Sequence, residues 1–320
     1  MPDEPTPGPS ARRRPDARAG LPTGVAAYVL WGLLPLYFPL LAPASPVEII
    51  AHRVIWSLLF CAAVLTATHG WPQFRALWRA PRTLALLGLA ATLLAVNWLV
   101  YVHGVLAGHV VDASLGYFIN PLVTVALAVV FLHERLRPVQ WAALGLGAVA
   151  VVVITAGYGR LPWIALVLAG SFGVYGLIKS RLGGHVGAAP GLATETALLA
   201  PVAGGYLIWL QLSGASSLAA HGTWHAVALA STGIVTAVPL LLFNSAARAL
   251  PLSVLGLLQY LAPVMQFGIG VLVEHEQMPP ARWVGFALVW VGLVVLAVDG
   301  TRHRRSRILE VRAAAEAAGA

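Results

Sequence analysis

Ten apolar runs follow one another along this chain, near 24–42, 47–68, 83–106, 111–132, 139–156, 161–179, 192–212, 224–247, 252–273 and 281–298. Each is close to the roughly 20 residues that a helix rising about 1.5 Å per residue needs to cross the hydrocarbon of a bilayer. Hydrophobic residues make up 59% of the 320 and charged residues only 10%. A soluble domain carries roughly 25% charged residues. So few charges cannot cover a water-facing surface, and the chain reads as an all-α integral membrane protein of ten transmembrane helices. Residues 1–20, rich in Pro and Arg, read as a disordered basic tail, and 300–320 as a basic cytoplasmic tail lying on the membrane surface as a helix. Arg12 to Arg14 ahead of the first run resemble a secretory signal peptide. The run is longer than a signal core of roughly 7–15 residues and contains Pro35 and Pro39, which favours a span.

The formal net charge of +8 would suggest a nucleic-acid partner in a soluble protein. Here it sorts by side of the membrane instead. With the N-terminus inside, 17 of the 20 Lys and Arg residues fall in inner segments, Arg160 and Arg282 fall outside, and Arg53 lies within a span. Positive loops stay cytoplasmic, so both termini are expected there, in a bacterial plasma membrane, with no nucleic-acid partner. Cys61, the one cysteine, has no partner for an internal disulfide and reads as a small buried hydrophobe.

Shifted by 142 residues, the sequence aligns with itself: Pro121 with Pro263, His133-Glu134 with His275-Glu276, Pro138 with Pro280 and Trp141 with Trp283. These residue types are uncommon in apolar helices, so duplication explains the match better than chance. The repeats are expected at 24–156 and 161–298. An odd number of spans per half places the second half upside down relative to the first. In such inverted repeats each half can adopt the other's conformation around a midplane site, which is the architecture of secondary transporters.

The candidate substrate-binding residues come from that repeat. Ser114, Tyr117, Pro121 and Thr124 share one face of the fourth span, and Gly256, Gln259, Pro263 and Gln266 repeat it in the ninth. Pro121 and Pro263 each remove a backbone hydrogen bond near mid-span and are expected as helix breaks. Asn97 and Tyr101, four residues apart, present an amide and a hydroxyl on one face of the third span. Asn120 joins the fourth-span set, and Trp56, Trp98 and Tyr260 could stack along the path; packing between helices is the plain alternative for all of these. Arg53 and Glu195 are charges inside spans, functional by default at their cost, and 142 residues separate them too. With His52 they are the candidates for gating or coupling, although Glu195 could instead neutralise Lys179 or Arg181. The histidines of the two His-Glu pairs lack the second histidine of a zinc HExxH site, and no phosphate-binding Gly-rich loop with a Lys is present. No metal, cofactor or enzymatic activity is therefore expected.

His52-Arg53-Val54-Ile55-Trp56-Ser57, Asn97-Trp98-Leu99, Ala113 through Leu122, Gly233-Ile234-Val235-Thr236 with Val238-Pro239-Leu240, and Gln259-Tyr260 together resemble the RarD branch of the EamA family, within the drug/metabolite transporter superfamily. The resemblance covers 24–298 and implies two EamA repeats around a central cavity. It supplies no physiological substrate. The expected function is a secondary transporter or facilitator, an exporter among the options, that moves a small metabolite or drug-like molecule by alternating access, with a homodimer left open. The rival reading is a membrane-embedded receptor or intramembrane enzyme, for which neither an output domain nor a convergent catalytic set is evident. Single cysteines at His109, Gly159 and His221 should react with impermeant thiol reagents in intact cells, and those at Arg79 and Arg137 should not. The reverse labelling pattern would invalidate the orientation.

Overall fold

Proline at the first position of a helix costs nothing, because the amide it lacks would have no acceptor there. Four of the long helices open this way, at Pro46, Pro81, Pro138 and Pro280. The first of these adds a Ser45 hydroxyl that accepts from the Glu48 amide at 3.2 Å. The computed structural model describes residues 17–133, 135–182, 186–250 and 252–318. Residues 1–16 of the basic tail, Glu134 and 319–320 lie outside the described residues.

The elements are α1 (Ala17–Gly32), α2 (Leu34–Tyr37) with a 3-10 turn at Phe38–Leu41, α3 (Pro46–Ala67), α4 (Trp71–Trp78) and α5 (Pro81–Leu106). They continue with α6 (Val110–Leu132), α7 (Pro138–Tyr158), α8 (Trp163–Leu182), α9 (Ala188–Leu212) and α10 (Ser217–Ala220). The last are α11 (Gly222–Ala249), α12 (Leu252–Leu258), α13 (Leu261–Leu272) and α14 (Pro280–Ala318). Among the described residues, nine stretches are each long and apolar enough to span a bilayer, and Gly20–Gly32 with Leu34–Leu41, bent by 45°, makes the tenth. The fold is thus an all-α integral membrane bundle. Its surface is inverted relative to a soluble protein: Val202, Leu212 and Trp224 are exposed, while Arg53, Asn97 and Glu195 are buried.

Three local details differ from the sequence expectation. The fourth span runs through Pro121 as one helix, and the break in the ninth falls at Gln259-Tyr260, ahead of Pro263. A proline ring crowds the carbonyl four residues earlier, which is where the ninth span breaks, and Pro263 sits in the first turn of α13; the fourth span accommodates the same crowding without a break. At the C-terminus, α14 continues past the tenth span to Ala318 instead of starting a separate surface helix. No proline follows Gly300, and the Ala, Arg and Glu of 301–318 favour helix.

The two positions paired by the 142-residue shift share a backbone conformation. His133 ends α6 in the left-handed region at φ 55°, and His275, its equivalent, has φ 51° beyond α13. Equivalent helices also meet across the molecule: α3 packs on α9, α6 on α13 and α7 on α14. Lipid is as apolar as the helices, so association depends on close packing and polar contacts more than on the hydrophobic effect. Gly233 of α11 and Gly116 of α6 lie close against the backbone of a neighbouring helix. A Cβ on Gly233 would lie 2.5 Å from the Trp56 carbonyl carbon of α3, and one on Gly116 would lie 2.8 Å from the Ala165 oxygen of α8. Gly233→Ala should therefore lower stability by about 1–3 kcal/mol through overpacking. Gly145→Ala, with nothing within 4 Å of the new methyl, should lose none. Thermal unfolding of the two purified variants in detergent tests the difference.

Candidate functional site

Helices α3, α5 and α6 and the turn after α2 bring one cluster of aromatic and polar side chains together inside the bundle. Arg53 of α3 is 5% exposed, and its guanidinium carbon sits 4.1 Å from the centre of the Trp98 ring and 6.0 Å from that of Phe38. Tyr37, Tyr101 and Tyr117 are its titratable neighbours. The Tyr101 and Tyr117 rings lie 5.7 Å apart, and Phe38 packs edge-on against Tyr101. Asn97 ties this group to α8, donating through Nδ2 to the Leu168 carbonyl and the Ser171 hydroxyl, both at 3.0 Å. Its Oδ1 accepts from the Tyr117 hydroxyl at 3.3 Å. The Tyr101 hydroxyl, the Arg53 Nε and, a turn beyond Tyr117, the Asn120 Oδ1 are buried without a hydrogen-bond partner.

The other sequence candidates lie apart from this cluster. Gln259 and Tyr260 form the break in the ninth span, where Tyr260 packs with the core around Phe118, Phe286 and Val289. Glu195 of α9, 1% exposed, pairs with Lys179 of α8 at 2.7 Å and has the Tyr175 hydroxyl at 3.5 Å. His52, next to Arg53 in the chain, faces Glu48 and His225. Glu48 in turn accepts from the Ser217 amide at 2.8 Å, and the Ser217 hydroxyl meets His225 at 2.9 Å. Sequence reasoning missed Tyr37, whose hydroxyl meets the Ser231 hydroxyl at 2.8 Å; Gln266, on the expected polar face of the ninth span, donates to the Trp31 carbonyl at 3.1 Å. Separations of 194 and 235 residues leave no local signal for either contact.

Each end of the bundle carries its own ties. At the end with many arginines, Arg137 pairs with Asp299 at 2.6 Å. At the opposite end, α13 crosses α6 so closely that a Cβ on Gly270 would lie 2.7 Å from Val111. There Glu276 accepts from the Val111 amide at 3.0 Å, which caps the N-terminus of α6. Arg282 joins Asp112 at 2.7 Å, donates to the Gln277 carbonyl and lies 3.7 Å from Glu276. His109 stands 4.0 Å from Asp112. Burial lowers the His109 imidazole below its usual range, against the pull of Asp112, whereas burial pushes the Glu276 carboxyl up to about 7 despite the Val111 amide and Arg282.

Residues 18–156 match the model of the EamA-like transporter family. The chain is 54% identical to a protein named RarD from Streptomyces exfoliatus over 94% of this chain and 95% of the relative. It is 43% identical to an uncharacterized transporter of Pseudomonas aeruginosa over 90% and 96%. A crystal structure 20% identical in sequence has the same fold, with a TM-score of 0.58 over 90% of this chain and 99% of the other.

Glu276 binds its proton more tightly in the folded protein than its ordinary value of 4.5 implies. Its contribution to stability is therefore full below pH 4.5 and lost as the pH rises through about 7. Glu276→Gln, which cannot titrate, should flatten the thermal-stability profile across that window relative to wild type. Identical profiles for the two proteins would refute the assignment.

Proposed function

This chain belongs to the RarD branch of the EamA-like transporter family and is a membrane transporter of small molecules, and from that premise we propose that it works by alternating access in the bacterial plasma membrane. The observation that carries the mechanism is the set of ties between the start of α6 and the α13–α14 connection. Outside, α13 lies against α6 through Gly270 and Val111, and Glu276 and Arg282 tie the α13–α14 connection to the start of α6. Inside, beyond the Gln259-Tyr260 break, α12 packs on α1 and α11. In this reading the Asp112–Arg282–Glu276 network is an outer gate, held shut in this arrangement. Exchanging the conformations of the two repeats opens it. The positive charge bias supports cytoplasmic termini.

Asn97, Tyr101 and Tyr117 contact the substrate below the outer gate in this reading, and Asn120 with Gln259 and Tyr260 line its path toward the inner side. His52 links the cluster to the Glu48–Ser217–His225 ties, and Glu195 with Lys179 serves the inner end. The work is movement of a solute and not catalysis. To test the mechanism, Asp112→Cys and Arg282→Cys are combined in a Cys61→Ser background and bridged by a bifunctional thiol reagent. Bridging should abolish substrate flux in vesicles, and a cleavable bridge, once reduced, should restore it. Undiminished flux through the bridged protein would rule out this gate.

A further inference from the structure

We propose that the molecule carried is a monoanion, a carboxylate on an apolar body, and that Arg53 is the residue that binds its carboxylate. The inference rests on the transport reading above and adds a substrate class to it.

A guanidinium has five N–H donors in a planar fork. That of Arg53 is buried within a span, yet among the described residues no carboxylate lies within 4.0 Å of it, and its Nε is buried with no hydrogen-bond partner. The other buried ionised side chains fare differently: Glu195 has Lys179, Arg282 has Asp112, and Glu48 has the Ser217 amide. The Trp98 face at 4.1 Å offsets part of the cost of burying the charge. Stacking of this kind satisfies the face of the cation and none of its edge donors, so the fork stays unpaired. An unpaired cation in an apolar interior is among the most costly features a membrane protein can keep. The group that relieves it is a planar oxyanion, which the fork matches with two parallel hydrogen bonds.

The neighbours narrow the class. The Tyr101 hydroxyl is a buried donor without an acceptor, and Tyr37 and Tyr117 add neutral hydroxyls around the same cation. One positive charge balances one negative charge, so a phosphate dianion or a dicarboxylate would leave charge uncompensated. Phe38, Trp98, Tyr101 and Tyr117 wall the site with ring surface, which suits an apolar or aromatic body. Trp98 and Tyr117 are only half-buried.

The test compares metabolites inside and outside bacterial cells carrying the full chain, an empty vector, or the variant Arg53→Gln at matched membrane abundance, by mass spectrometry. The compounds redistributed by the wild type should be monocarboxylates with apolar bodies. Arg53→Gln should reduce their redistribution by at least about tenfold, as expected for loss of a bidentate charge-assisted contact. Arg53→Lys, which keeps the charge but not the fork, should fall between the two. Redistribution of cations, uncharged compounds or phosphate esters would overturn the proposal from the wild-type data alone, even if neither variant accumulates. So would carboxylate transport unchanged in Arg53→Gln. If the wild type redistributes nothing relative to the empty vector, the transport reading itself fails, an outcome distinct from the other two.

Discussion

In hydrocarbon no water is available to pair a stray amide or carbonyl, and each unsatisfied group costs several kcal/mol. Everything else in this molecule follows from that constraint. It makes the described chain helical throughout its membrane layer and confines irregular backbone to places where other groups can serve it. The interruption at Gln259-Tyr260 is such a place. It falls four residues ahead of Pro263, and the Tyr260 amide still reaches the Leu257 carbonyl at 3.2 Å. The left-handed histidines at 133 and 275 are two more, each ending a span where the chain turns back.

The same constraint decides where polar side chains stand. With lipid outside, the bundle buries its polar groups and holds helices together through small residues and directed contacts. Asn97 is the clearest case, with three helices, α5, α6 and α8, joined through one amide. The ion pairs obey a second rule and gather toward the ends of the spans: Arg282 with Asp112 on one side, Arg137 with Asp299 on the other. Among the described residues, Arg53 is the buried arginine without such a pairing, and its environment is aromatic instead of acidic. That asymmetry separates the residues that hold the bundle together from the one best placed to meet a charged solute.

The duplicated halves differ in conformation: the fourth span is one helix through Pro121, whereas its equivalent breaks at Gln259-Tyr260. Gly270 of α13 approaches Val111 closely, whereas α12, on the far side of the break, turns to α1 and α11. Two copies of one structural unit in different arrangements are what a two-state machine requires, since each copy demonstrates a conformation accessible to the other.

The sequence alone determined the class, the count of spans and the repeat, because span length is set by bilayer thickness and His, Glu, Pro and Trp at a fixed offset cannot arise from apolar patterning. It also singled out Arg53, Asn97, Tyr101 and Tyr117, since polar groups are conspicuous among apolar ones. The tertiary structure decided what each of them touches. Whether Glu195 meets Lys179 or Arg181 depends on the approach of α8 to α9, and helical periodicity says nothing about that. That Arg53 lies over Trp98 with no acid beside it depends on how α3 crosses α5. Periodicity reports which side of a helix a residue occupies; the neighbour it finds there is set by packing between helices that are distant in the chain.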